Sequence, residues 1–143
     1  MELYKHALKA IEAELGKGET SDADLNRLGR ILFGKQWAAA VPANVVCPVS
    51  SARPYGITNT KGAPGEHWMG VVWEAPKRRM VFDSFGRRVL RISADPKILA
   101  HGGRIDNTAA IDTQPILASD CGQRSMAWLV VYALQGADAA RAI

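Results

Sequence analysis

Four residues have the types needed for thiol-based acyl transfer: His67, Asp83, Gln114 and Cys121. Cys121 follows the polar pair Ser119-Asp120 and precedes Gly122, where a strongly apolar stretch begins. A cysteine in the first turn of a helix meets the macrodipole and unpaired N–H groups, which stabilise a thiolate. Gly122 would let a substrate backbone come close. His67, at the start of an expected strand, would act as general base and then general acid. Asp83 lies 16 residues further on. In a hairpin turning near residues 76–77 the two fall roughly opposite each other. The carboxylate would then hold one ring nitrogen, set the tautomer and favour the imidazolium. Gln114 stands seven residues before Cys121. Its amide would donate to the oxyanion of a tetrahedral intermediate, together with the Cys121 backbone N–H. Each residue also has an ordinary reading: a small buried hydrophobe, a structural histidine, a strand-end turn residue and a solvated loop glutamine.

The elements that must position these residues follow from hydrophobic spacing. Leu3, Ala7, Leu8, Ile11 and Leu15 recur at helical intervals, ending near Gly16 and Gly18. Ser21 and Asp24 read as a variant capping box for a second helix carrying Leu25, Leu28, Ile31 and Leu32, ended by Gly34. Pro42, Pro48 and Pro54 punctuate an irregular stretch, with a short extended piece near 55–59. Residues 60–66 read as a loop, 67–73 as a buried strand and 80–85 as its hairpin partner. A short helix over 96–100, a weak strand over 104–113 and a loop over 114–120 follow. Residues 121–134 are predicted to be a buried helix ended by Gly136. The expected fold is α+β: N-terminal helices, then a small mixed or antiparallel sheet packed on the C-terminal helix. One domain over 1–143 accounts for the length.

The order and spacing of the motifs carry a resemblance. His67-Trp68, Asp83-Ser84-Phe85-Gly86, Gln114 and Ser119-Asp120-Cys121-Gly122 together resemble the adenovirus-type maturation protease (adenain). They also resemble its wider clan, which holds the Ulp/SENP SUMO proteases. The resemblance spans residues 55–135. His67-Trp68-Met69 with Trp73, Phe85-Gly86 and the Gln-to-Cys spacing look nearer to adenain. Ser119-Asp120-Cys121-Gly122 and Asp at position 83 look nearer to the SUMO proteases. The resemblance implies Cys121 as nucleophile, His67 as general base and acid, Asp83 as orienting carboxylate and Gln114 as oxyanion donor. Trp68 would pack beside the site and, with Gly122, contact substrate. It further implies a cysteine endopeptidase that cleaves viral precursor proteins of capsid or core during virion maturation. The rival is an isopeptidase acting on ubiquitin-like conjugates; a third reading is a non-catalytic module that binds DNA or a capsid protein. The adenovirus enzyme is joined to an activating peptide through a cysteine between its acid and its nucleophile. This chain has none there, so that linkage does not carry over, and Cys47 is expected to be structural.

Composition sets the remaining bounds. Of 143 residues, 48% are hydrophobic and 22% charged, which argues against a disordered chain. No apolar run is long enough to span a membrane, and the first residues lack a signal-peptide core, so an intracellular protein is expected. If viral, it would work in the virion and the host cell, in the nucleus or a virus factory. Two cysteines and three scattered histidines make no zinc pattern. The chemistry requires no cofactor; DNA or a peptide would act only as an activator. Residues 1–26 hold three basic and six acidic side chains, whereas 27–143 carry a net charge of +7. Lys77, Arg78, Arg79, Arg87, Arg88 and Arg91 are the candidate nucleic-acid contacts, against the plainer reading of a solvated basic surface.

Overall fold

Alternation along three neighbouring strands divides the apolar side chains between two cores. In the computed structural model, which describes residues 1–60, 67–93 and 95–143, these strands are β2 (Tyr55–Asn59), β3 (Trp68–Ala75) and β4 (Arg78–Asp83). Trp68, Val72, Met80, Phe82, Tyr55 and Ile57 face one core. Met69, Val71 and Val81 face the other. This is the period of two that a sheet buried on both faces requires. β1 (Trp37–Val41) and β5 (Arg104–Ala109) flank the three. The sheet order is β1-β2-β3-β4-β5, with the outer pairs parallel and the inner pairs antiparallel.

The first core is closed by helices. α1 (Glu2–Leu15) and α2 (Asp22–Phe33) form the N-terminal pair, and α3 (Val89–Ile92) and α4 (Pro96–Ala100) are short. The long helix α5 (Cys121–Gln135) is followed by α6 (Ala137–Arg141). Tyr4 and Ile11 of α1, Leu25 and Leu28 of α2, and Met126, Trp128 and Leu129 of α5 meet the sheet in the first core. Ser21 caps α2, its hydroxyl accepting from Asp24 N–H at 3.1 Å. Trp128 is fully buried and stacks on Phe82, ring centroids 5.2 Å apart. Gly70 makes that approach feasible, because a methyl group there would lie 2.8 Å from the Trp128 ring.

The second core gathers Cys47 and Val49 with Val89 of α3 and Leu99 of α4. Gly56 faces it, and a methyl group at that position would lie 2.5 Å from Cys47 Sγ. Cys47 is therefore packed against bare backbone of the sheet.

The α+β expectation holds, with a mixed sheet of five strands. Three elements were not anticipated: β1, α3 and α6. The third expected strand ends at Ala109 rather than at 113, and the second is Arg78–Asp83 rather than 80–85. Apart from Thr60, the loop expected over 60–66 lies outside the described residues. β1 is made by a tertiary partner. Asn26 of α2 accepts from Ala40 N–H at 2.8 Å and Trp37 Nε1 at 3.1 Å, and donates to Ala40 O at 3.2 Å. One amide thus closes the bonding of an edge strand rich in alanine. Asn26→Ala is expected to cost about 1–3 kcal/mol, because it strips partners from part-buried groups. Urea denaturation measures this, and a midpoint equal to wild type would show that β1 is held otherwise.

Among the described residues, no helix is long and apolar enough to cross a membrane.

Candidate active site

The β3–β4 hairpin brings His67 and Asp83 to the same end of the sheet. Its tight turn uses Lys77 in the left-handed region, φ 60°. Gly70 pairs with Phe82, so His67 lies three residues beyond that rung and Asp83 one. The two are diagonal neighbours rather than directly opposed. His67 Nε2 donates to Asp83 Oδ1.

Cys121 reaches this pair from the other side. It is the first residue of α5, and the peptide of Trp68 clamps the helix start. Trp68 N–H donates to Cys121 Sγ at 3.3 Å, and Trp68 O accepts from Ser125 Oγ at 3.2 Å. His67 precedes Trp68 in the chain, so the clamp carries the imidazole to the sulfur. Cys121 comes near enough to the His67 side chain to favour its charged form, as Asp83 does. With Nε2 committed to Asp83, Nδ1 is the ring atom left for the thiol.

The charges fit that contact. Burial opposes a charged imidazole, yet the hydrogen bond to Asp83 and the nearness of Cys121 outweigh it and hold the His67 pKa above its ordinary value. Burial likewise works against the Asp83 carboxylate. Hydrogen bonds from His67 and Arg87 overcome it and hold that pKa down at about 2. Asp83 is fully buried and His67 only 9% exposed. Cys47 is a different case: burial pushes its thiol up to about 12, and its side chain points at the carbonyls of Ala39 and Ile57.

Gln114 is bound to the end of β4. Its backbone N–H donates to Ser84 O at 2.6 Å, and its Oε1 accepts from Ser84 Oγ at 2.5 Å. Its Nε2 donates to Ala118 O at 2.6 Å. The loop before Cys121 is thereby anchored to the residue that follows Asp83. One amide N–H serves that anchor, which leaves the second for another acceptor.

Trp68 and Gly122 turn into the protein. Trp68 Nε1 donates to Thr20 O at 3.0 Å. A methyl group on Gly122 would lie 2.2 Å from Thr20 Oγ1. Both residues are buried, and Gly122 packs against Thr20, Leu25 and the Trp68 ring.

The six basic residues do not form one patch. Lys77 and Arg78 lie at the hairpin turn, where Arg78 Nε is 3.8 Å from Glu74 Oε1. Arg79 is only 7% exposed, which leaves it little surface for a polyanion. Arg87, Arg88 and Arg91 line an open cavity of about 590 Å³ with Leu90, Ile105 and Asn107. Among the described residues no three His, Cys, Asp or Glu side chains gather as a metal site.

Sequence reasoning missed three contributors. Ser84 fixes Gln114, Phe85 stacks on His67 with ring centroids 5.0 Å apart, and Arg87 binds Asp83. A turn in Asp83-Ser84-Phe85-Gly86, closed by Gly86 N–H to Asp83 O at 2.8 Å and a left-handed Gly86, is what folds Arg87 back. The glycine was the available signal. No protein-family model and no curated protein matches the chain.

Proposed function

We propose that the chain is a cysteine peptidase with Cys121 as nucleophile. The observation that carries this reading is the convergence of the α5 thiol, the imidazole that precedes β3 and the carboxylate that ends β4. His67 takes the thiol proton and becomes an imidazolium held by Asp83. The thiolate attacks a peptide carbonyl, forming a C–S bond and an oxyanion. The Cys121 backbone N–H and the free Gln114 N–H are the donors offered to that oxyanion. The imidazolium then protonates the leaving amine as the C–N bond breaks. Water, deprotonated by His67, releases the acyl group and restores the thiol. None of these steps needs a metal or an organic cofactor.

The narrower reading is endopeptidase cleavage of viral precursor proteins during virion maturation, with DNA or a peptide as activator. It rests on the resemblance of residues 55–135 to the adenain type. A peptide reporter with small residues at the cut, set against a ubiquitin- or SUMO-amide reporter, separates it from the isopeptidase. A DNA-binding or capsid-binding module would cut neither.

The first test is thiol labelling. Iodoacetamide at neutral pH should modify Cys121 in the folded protein and spare Cys47, which is packed against Gly56 and pushed up to about 12. Mass spectrometry locates the adduct. Equal labelling of both thiols, or labelling of Cys47 alone, would count decisively against the assignment.

A further inference from the structure

Arg87 makes more bonds to Asp83 than His67 does. Its backbone N–H and its Nε both donate to Oδ2 at 2.9 Å, and its Nη2 reaches Oδ1 at 3.5 Å. Oδ1 also accepts from Phe85 N–H at 3.2 Å, besides His67 Nε2. The carboxylate is thus fixed on both oxygens, and Oδ1 is left facing the imidazole. Arg87 Cζ lies 4.8 Å from the Phe85 ring centroid, and that ring stacks on His67. The planar guanidinium suits this task better than an ammonium, because its rigid fork matches carboxylate geometry.

We propose that Arg87 is a positioning residue that sets both the orientation of the Asp83 carboxylate and the share of its charge given to His67. The role rests on the peptidase reading. A carboxylate with no second cation would hold the imidazolium too firmly, making it a poor acid toward the leaving amine. Arg87 takes part of that charge. The side chain is 44% exposed, so it does this from the rim of the buried pair. The titratable groups that face His67 are Asp83 on β4 and Cys121 on α5. Those that face Asp83 are His67 and Arg87.

The test is an NMR titration of His67 in the full chain without substrate, so that it reads the coupling independently of turnover. Arg87→Met should raise the His67 midpoint by about one pH unit, the usual effect of a charge at this range. Arg87→Lys should return it close to wild type. Arg104→Ala, which removes an exposed cation from β5, should leave it unmoved. With a peptide substrate, kcat should fall in Arg87→Met and recover in part in Arg87→Lys, while KM holds. If Arg87→Met does not fold, Arg87→Gln carries the same expectation. A midpoint that stays put or falls in the uncharged variant overturns the proposal, as does an Arg87→Lys midpoint displaced as far as that of Arg87→Met. A chain whose His67 responds as stated but which cuts no peptide overturns the peptidase reading and leaves the coupling standing.

Discussion

Cys121→Ala is expected to lower peptide hydrolysis by on the order of 10⁴-fold or more, the scale of loss when a nucleophile is removed from a triad. The fold should survive. The thiol is small and buried at the first residue of α5, where it accepts from the Trp68 N–H. Alanine retains the Cβ packing and a good helix propensity. Circular dichroism and a melting curve within a few degrees of wild type would certify the comparison. His67→Ala should produce a loss of similar order, and the double variant little more, because the two act as a unit. A Cys121→Ala protein that still cut its substrate would end the thiol mechanism outright. If wild type cut nothing, iodoacetamide labelling of Cys121 would still report whether the thiol is activated.

Trp128→Ala should have the largest effect on stability, about 3–5 kcal/mol, as expected for a buried tryptophan cut back to a methyl group. The ring has no exposed surface. It lies nearly parallel to Phe82, and its Nε1 donates to Ala140 O at 3.0 Å. Gly70 sits against its edge and offers no side chain to fill the space. The variant would therefore leave a cavity at the centre of the α5–sheet interface and take one of two donors from the Ala140 carbonyl, which keeps Ile143 N–H at 3.3 Å. Urea denaturation followed by circular dichroism measures the loss. Against a typical stability of roughly 5–15 kcal/mol, it could leave the chain partly unfolded at 37 °C. Trp128→Phe, which keeps an aromatic face toward Phe82, should lose less. A cost below about 1 kcal/mol for the alanine variant would mean that the interface collapses onto the gap.

What could be read from sequence is what local pattern encodes. The run opening at Cys121 is too long and too evenly apolar for a strand, so α5 was legible. So were β3 and β4, because their alternation and the Pro76-Lys77 turn are local. β1 was hidden because Trp37-Ala38-Ala39-Ala40-Val41 has no strand signature of its own. It becomes a strand by pairing in parallel with β2, while Asn26 of α2 bonds the Ala40 N–H and carbonyl. The same division applies to the site. Cys121, His67 and Asp83 could be proposed from residue type and order. Arg87 read as one more basic surface residue, because its contact with Asp83 depends on a turn that ends on a left-handed glycine. Trp68 and Gly122 show the converse: the resemblance set both beside the site, but their contacts with Thr20, remote in sequence, could not be read locally.

The binding of α5 to the N-terminal segment has a consequence for synthesis. Gln123 Nε2 donates to the carbonyls of Gly16 and Gly18, both at 2.8 Å, across sequence separations of 107 and 105 residues. Tyr4 and Ile11 lie in the same core as Met126 and Trp128. α1 must therefore wait for α5, made more than 100 residues later, before it has this partner. The β3–β4 hairpin closes over a short loop and can form during translation, but contacts of such long range come late. Imidazole and carboxylate are then paired well before the sulfur arrives. Until α5 docks on the sheet, the Cys121 sulfur stays apart from His67 and Asp83.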